Sequence, residues 1–399
     1  MHGPPIREGA VLIGGDGRIV QAGQRGGVAG PPDAERSEWP DAILIPGLVN
    51  THTHLELTGF AGLAEEEDFP AWIRRIRALK AERTPAGYLE AARQGLRDCH
   101  AAGVTTVADT GDSGAVIEAI AEAGGSGVAY HEVFGPHPGQ AAESMAGLAV
   151  RVAELRRFES PRVRLGVSPH APYTVSGDLY RAVAGFADRE QLPIAVHLAE
   201  SVAESDLVGR GAGPFAEAWT ARGIPLPDST GRTPVEWLDA HGVLGERTLA
   251  IHLVQASLDD VARLAARRTA VAHCPLSNHR HGHGAAPIGT FIRGRVRLGV
   301  GTDSVASVGR LDLLAEARAA RALAGLTAAE ALGLATIGAA EALGLHGQVG
   351  ALAPGNWADV AVLDAGGAGD GEAALEAVLA SSPGQVIETV LGGRTVYRR

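Results

Sequence analysis

Lysine is almost absent from this chain: Lys80 is the only one among 399 residues, so the positive charge is nearly all arginine. Cysteine is also scarce, because Cys99 and Cys274 stand alone, too few and too far apart for a disulfide framework. No apolar run approaches the roughly 20 residues that cross a bilayer, and the N-terminus lacks a signal-peptide pattern. We therefore expect a soluble protein of the reducing cytoplasm, without a membrane partner.

Clustered positive charge is missing as well. The formal net charge is −11, which argues against nucleic acid as the main partner, because phosphate binding needs grouped Lys and Arg. Aromatic residues make up only 4% of the chain against 45% for all hydrophobic residues, so the core must be built mostly from Ala, Val and Leu. The 54 glycines suit an architecture with many tight loops between repeated elements.

The chain does contain a repeated alternation of apolar runs and helical stretches. Eight runs rich in Val, Ile and Leu are typical of strands buried on both faces of a parallel sheet; they lie at 43–51, 103–109, 127–134, 162–168, 193–199, 248–254, 269–274 and 296–303. Stretches with helical spacing separate them, such as 86–102, 142–158, 177–189 and 256–267. This count predicts an α/β fold, a (β/α)8 TIM-like barrel. A doubly wound open sheet is the alternative, but no Gly-rich dinucleotide fingerprint follows the first strand.

The two ends of the chain have a different pattern. Residues 9–23 predict a hairpin with a Gly-Asp-Gly turn, and residues 348–364 and 385–398 predict short strands and turns. Such segments on both sides of a barrel could pair with one another. We therefore expect a small β-sandwich domain from residues 1–46 and 346–399, and a barrel domain from residues 47–345.

Polar side chains recur where the predicted barrel strands end. The first strand ends in GLVNTHTHLE, which places His52 and His54 on one face because residues i and i+2 of a strand point the same way. Later strand ends offer further candidates: His170 in SPHAPYT, His197 and Glu200 in VHLAE, His252 in AIHLV, and Asp303 in GTDS. Barrel enzymes place their chemistry at this end. Each residue alone has a plainer interpretation, as a packed histidine or a helix cap. Burying the whole set without a cation would be costly, so the sequence predicts a metal site.

Imidazoles with one carboxylate suit zinc, with iron as the alternative. The pattern HxH, His, His, Asp resembles the amidohydrolase superfamily, whose members are (β/α)8 metallohydrolases with a small β-sandwich from both chain ends. The resemblance extends over nearly the whole chain. It points to the deaminase and chlorohydrolase branch through PGLVNTHTH, GVSPHAPYT, VHLAE, AHCPLSN, GVGTDS and GALAPGNWADVAVLD.

The resemblance implies a role for each candidate. Many members of the superfamily hold two metals bridged by a carboxylated lysine on the fourth strand, but Lys80 lies in a helical stretch after the first strand. We therefore predict one divalent ion, held by His52, His54, His197 and Asp303. Asp303 would also take the proton of the attacking water. Glu200 would protonate a ring nitrogen, although a solvated helix start is its plainer interpretation, and His252 would stabilise the hydroxide or the tetrahedral intermediate.

The same motifs resemble deaminases of adenine-bearing nucleosides, and most closely the aminodeoxyfutalosine deaminases of the futalosine route to menaquinone. His170 would contact the purine or the ribose. Trp72 would form a wall beside the base, or serve as an ordinary core aromatic. A cation such as Arg280, Arg74 or Arg75 would meet the benzoate of that substrate.

Several alternatives remain open at this point. They include deaminases of S-adenosylhomocysteine, methylthioadenosine, adenosine or guanine, a triazine-type chlorohydrolase, and a non-enzymatic metal-binding relative. The run from His279 to His283 replaces an apolar residue that is usual in the family; it could be a weak surface metal binder, a solvated loop or an anion contact. Ala- and Leu-rich helices within 311–345 allow a homodimer.

Overall fold

The computed structural model describes residues 3–66, 68–227, 231–364, 366–367, 369 and 371–399. Within them lie fourteen β-strands. They are β1 Gly9–Ile13, β2 Ile19–Gln24, β3 Ala42–Pro46, β4 Leu48–Thr53, β5 Val104–Gly111, β6 Ser126–Val133, β7 Val163–Pro169, β8 Ile194–Leu198, β9 Thr248–His252, β10 Ala270–His273, β11 Leu298–Val300, β12 Val360–Asp364, β13 Val386–Leu391 and β14 Arg394–Arg398.

Strands β4 to β11 form one parallel sheet in which each strand pairs with the next along the chain. The first and last strands meet through a parallel bridge between Thr53 and Asp303, and Asp303 N donates to the His52 carbonyl (3.0 Å). The sheet therefore closes into a nearly complete barrel. The predicted α/β fold of TIM-like type is confirmed, and each of the eight predicted strand runs overlaps one barrel strand.

Sixteen α-helices lie within the described ranges, and those that follow barrel strands cover the outside of the sheet. They are α1 Phe69–Ala81, α2 Pro85–Ala101, α3 Ala115–Glu122, α4 Ala141–Leu155, α5 Gly177–Glu190, α6 Val202–Arg210, α7 Gly213–Ala221, α8 Pro234–Ala240, α9 Leu258–Arg267, α10 Pro275–Arg280, α11 Ile288–Arg293, α12 Val305–Val308, α13 Leu313–Ala324, α14 Ala328–Leu334, α15 Ile337–Ala342 and α16 Glu372–Ala380. None of these helices is long and apolar enough to cross a membrane.

Both chain ends contribute to a separate antiparallel sheet with the strand order β14-β13-β12-β3. The predicted hairpin is present as β1 and β2, which form their own two-stranded sheet. A bridge from Arg18 to Trp357 and the hydrogen bond from Ile19 N to the Asn356 carbonyl (2.8 Å) join it to the C-terminal part. Of the strands and turns predicted over 348–364, β12 begins at Val360, and Gly355, at positive φ, lies in the turn before it. The division into domains at residues 46 and 346 remains our proposal.

The predicted run 43–51 divides at Gly47, between β3 of the small sheet and β4 of the barrel. A Cβ at Gly47 would collide with the side chain of Thr105 in β5, so a larger residue would push the start of β4 away from β5. Because β4 carries His52 and His54, this close approach fixes where the first barrel strand enters.

Apolar side chains form three clusters. The largest lies between the strands and the helices around them, and a smaller one rich in Ala and Val fills the barrel interior. The third lies at the barrel mouth and concentrates the few aromatics of this chain: Phe60, Phe69, Trp72, Tyr173, Phe215 and Trp219. The small interior residues explain how a chain with 4% aromatics closes a barrel.

Lys80 joins helix α1 to the loop that follows the first barrel strand. Its Nζ lies 2.6 Å from Glu56 Oε1 and 2.6 Å from Asp112 Oδ1. Burial alone would lower the pKa of Lys80, but Glu56 and Asp112 outweigh burial and raise it above its usual value. Glu56 is 1% exposed and also accepts a hydrogen bond from Ser113 Oγ (2.5 Å). The only lysine is therefore a partly buried link between helix α1 and these two carboxylates.

Replacing Lys80 by methionine should lower the free energy of unfolding by about 3 kcal/mol, because the buried carboxylate of Glu56 loses its cation. Chemical denaturation of the variant would measure this. The double variant Lys80→Met, Glu56→Gln removes both charges and should recover much of the loss. Equal stability of the wild type and Lys80→Met would contradict this role of Lys80.

Candidate metal centre and active site

Four predicted ligands meet at the carboxyl end of the barrel. His54 Nε2 lies 3.3 Å from His197 Nε2 and 3.5 Å from Asp303 Oδ1, and His52 Nε2 lies 3.6 Å from the same oxygen. Ligand atoms about 2.1 Å from a tetrahedral ion are about 3.4 Å apart, so this spacing fits one ion. His52 Nε2 is buried and has no hydrogen-bond partner among the described residues, as a ligand atom facing an ion would.

Neighbouring groups orient these ligands. His54 Nδ1 donates to the Thr110 carbonyl (2.8 Å), and His197 Nδ1 donates to the His170 carbonyl (3.0 Å). Each bond uses the Nδ1 proton and leaves the Nε2 lone pair directed at the cluster. A hydrogen bond from the other ring nitrogen is the usual second contact of a metal-binding histidine. Burial, and then the charge of His52, lowers the pKa of His54 to about 3, so its ring is neutral near pH 7.

Asp303 occupies a strained turn at the end of the last strand. Its φ is +60°, and Ser304 N donates to Oδ1 (2.7 Å) while Ser277 Oγ donates to Oδ2 (2.6 Å). Gly301 precedes it because a Cβ there would lie 2.6 Å from His52 N. Left-handed backbone at a non-glycine residue is costly and gathers at functional sites. His252, with φ +76°, shows the same strain.

Glu200 lies beside the cluster, as predicted from its HLAE context. Its Oε1 is 3.5 Å from His252 Nε2, and its Oε2 is 3.5 Å from the Tyr173 hydroxyl. Burial, together with the charges of Asp303 and Glu204, raises the pKa of Glu200 well above its usual value. The carboxyl is 3% exposed, which excludes the interpretation as a solvated helix start. A raised pKa favours the protonated carboxyl, which can act as a proton donor.

His252 and Glu200 are each positioned by a residue for which the sequence analysis assigned no role. Asn278 Nδ2 donates to His252 Nδ1 (3.1 Å), which leaves the proton of the neutral ring on Nε2. The buried Glu204 accepts from the backbone N–H groups of Ala199 (2.7 Å) and Glu200 (3.0 Å) and so fixes the turn after β8. Asn278 belongs to the motif AHCPLSN and could have been singled out from it, whereas the contacts of Glu204 are visible only in the fold.

His170 lies next to the cluster, with its ring 4.7 Å from that of His197. Its Nδ1 bonds Thr174 Oγ1 (2.8 Å), and its Nε2 is 4.0 Å from Glu132 Oε1. That oxygen is buried and has no hydrogen-bond partner in the part of the chain that the structure describes. An acceptor of this kind suits a ligand hydroxyl or amine, and no sequence motif singles out Glu132.

Trp72 lies on helix α1 at the barrel mouth, 9% exposed. Its ring is 6.0 Å from Phe69 and 4.6 Å from His281. Trp72 Nε1 is buried without a partner in the described ranges, so the residue is a core aromatic with a free donor. Its role as a wall beside the base stays a prediction. His281 Nε2 bonds Ser307 Oγ (3.2 Å).

The side chains of the run from His279 to His283 differ in their exposure to solvent. His279 and Arg280 are exposed, whereas the side chain of His283 is 5% exposed and lies 3.6 Å from Glu200 Oε1. Arg74 and Arg75 on helix α1 are exposed as well. The structure therefore does not bring the arginines to the cluster, and an anion contact by Arg280 stays a prediction.

The amidohydrolase family model matches residues 43–396, and the chain belongs to that family. It is a hydrolytic deaminase within the family, consistent with the cluster and the acid beside it. It is 34% identical over 77% of its length to the aminodeoxyfutalosine deaminase of Deinococcus radiodurans, 76% of which is covered. It is 30% identical over 98% of its length to the 5-methylthioadenosine/S-adenosylhomocysteine deaminase of Symbiobacterium thermophilum, 89% of which is covered. An adenosine deaminase from Xanthomonas campestris, solved with bound zinc, superposes with a TM-score of 0.83 at 25% identity, covering 98% of this chain and 88% of the other.

Proposed function

We propose that this chain is a metal-dependent deaminase of an adenine-bearing nucleoside, and that the nucleoside is aminodeoxyfutalosine. The observation that carries the proposal is the buried Glu200 carboxyl beside a cluster whose donor atoms are spaced for one ion. The similarity to an aminodeoxyfutalosine deaminase supports the choice of nucleoside. The reaction converts a ring C–NH2 and water into a ring C=O and ammonia, and it would serve the cytoplasmic futalosine route to menaquinone.

His52, His54, His197 and Asp303 would hold a single divalent ion, zinc or alternatively iron. Such an ion, when bound, supplies a Lewis acid that makes water nucleophilic near neutral pH. The carboxylate of Asp303 accepts a proton from the attacking water and passes it to the departing amino group, which leaves as ammonia.

Glu200 donates its proton to the ring nitrogen next to the attacked carbon, which makes that carbon more electrophilic. The proton of the added hydroxyl returns to Glu200 as the ring C=O forms and ammonia leaves, so the acid is regenerated and every proton is accounted for. His252, with its proton on Nε2, donates to the oxygen that adds to the ring and so stabilises the charge that develops there. Trp72 forms the wall beside the base, His170 contacts the purine or the ribose, and Arg280 would approach the benzoate from the rim.

Substrate preference can be measured as ammonia release from aminodeoxyfutalosine, S-adenosylhomocysteine, methylthioadenosine, adenosine and guanine. We expect the highest kcat/KM for aminodeoxyfutalosine, by about 10-fold or more, because an extended site recognises the additional benzoate. Preincubation with a chelator should abolish the release, and added zinc should restore it. A higher kcat/KM for any other member of the panel would reject the specific substrate while keeping the deaminase.

A further inference from the structure

His283 is a buried histidine that the proposed reaction does not use. It lies in the loop after helix α10, where Gln255 Nε2 donates to its carbonyl (2.8 Å) and its own N–H donates to the Asn278 carbonyl (2.9 Å). Its ring meets Phe69 edge-on, with the centroids 4.5 Å apart, and is 5.5 Å from the ring of His281. The backbone bonds and the ring contacts together fix the side chain.

The free nitrogen of this ring faces the proton donor. His283 Nε2 is 3.6 Å from Glu200 Oε1, the same oxygen that lies 3.5 Å from His252 Nε2. Nε2 is buried and lacks a hydrogen-bond partner in the described part of the chain. A buried polar atom without a partner is destabilising, and contacts of this length often shorten when a substrate binds.

The two histidines lie against the same oxygen of Glu200 but have different neighbours. The ring of His252 belongs to the cluster, with its centroid 5.7 Å from that of His52 and 5.6 Å from that of His197. The ring of His283 instead contacts Phe69 and His281 at the barrel mouth. His252 therefore lies on the cluster side of the site, and His283 lies on the side of the mouth.

The order of the atoms in a purine ring predicts which of them would contact the cluster, Glu200 and His283. The attacked carbon C6 must face the cluster, and its neighbour N1 must face Glu200. The next atom around the ring is C2, between the two ring nitrogens of the six-membered ring. In that orientation the C2 edge of the base faces His283.

We propose that His283 is a specificity-determining residue that holds Glu200 in place and closes the pocket against purines with an amino group at C2. The proposal rests on the proposed function, since it assumes that an adenine-type base is deaminated at C6. Burial, and then the charge of His281, lowers the pKa of His283 to about 4, so the ring is neutral near pH 7. A neutral ring can contact an apolar C2–H but leaves no room for a further group.

The test compares ammonia release from an adenine nucleoside and from its 2-amino analogue, the 2,6-diaminopurine nucleoside with the same sugar. The variants are His283→Ala, which opens the space, and His283→Asn, which keeps a donor. His279→Ala is the matched control, because His279 is exposed near the end of helix α10, just before the loop that contains His283. For His283→Ala we expect the preference for the unsubstituted base to fall about 10- to 100-fold and kcat on that base to fall about 10-fold, with His283→Asn losing less kcat.

An unchanged preference in His283→Ala would overturn the inference. So would an equal loss of kcat on both bases together with a lower Tm, because that pattern shows only a structural role. A different result would contradict the proposed function, namely a wild-type chain that releases no ammonia from any adenine nucleoside.

Discussion

Replacing Glu200 by glutamine is expected to lower kcat by about 10²- to 10⁴-fold, the usual contribution of a positioned proton donor. Glutamine keeps the size of the side chain and can still contact Tyr173 and His252, but it has no acidic proton. Binding should change much less than turnover, because the lost interaction belongs to the transition state. Steady-state ammonia release gives kcat and KM separately. A variant with wild-type kcat would remove Glu200 from the mechanism.

The same residue predicts a pH dependence. Burial raises the pKa of Glu200, so the carboxyl stays protonated to higher pH than an ordinary glutamate. Proton donation is available below that pKa and is lost as the pH rises through it. We expect the alkaline fall in kcat of the wild type to be absent from the residual activity of Glu200→Gln. Persistence of the same fall in the variant would assign it to another group.

Replacing Asp303 by asparagine is expected to lower kcat by about 10⁴-fold, at the upper end of acid–base effects, because one change removes a ligand and a proton acceptor. Asparagine keeps the shape and leaves an oxygen for Ser304 N, which lies 2.7 Å from Oδ1. The loss should therefore be chemical rather than structural.

Ser277→Ala is the matched control for this variant. Ser277 Oγ donates to Asp303 Oδ2 (2.6 Å), whereas His52 and His54 lie nearer Oδ1. Removing this hydroxyl should cost about 10- to 100-fold in activity or metal affinity, as is usual for groups that orient ligands. Activity and bound metal should both be measured. Asp303→Asn with wild-type activity, or a loss no larger than that of Ser277→Ala, would contradict the role of the carboxylate.

The barrel and the meeting of its strand ends could be predicted from the sequence for one physical reason. Parallel strands bring their carboxyl ends to the same edge, so polar residues just after apolar runs must gather there. His52, His54, His197, His252 and Asp303 all follow this rule, and the structure brings them together. A regular backbone makes the spacing of side chains predictable.

The remaining features depend on loops and on contacts distant in sequence. The apolar periodicity contains no signal that the Lys80 ammonium lies between Glu56 and Asp112, because helix α1 reaches them only after the barrel forms. The run from His279 to His283 was visible as a motif. Which of its histidines face inward is set by the turn after α10, where Gly282 has φ +67°. Strain at His252 could not be foreseen, since neither residue type nor spacing indicates a positive φ there.

The most direct measurement is the metal content of the purified wild-type chain by plasma emission spectrometry, made alongside ammonia release. We expect a single zinc or iron ion per chain and activity proportional to that content. Two tightly bound ions per chain, or full activity in metal-free protein, would contradict it.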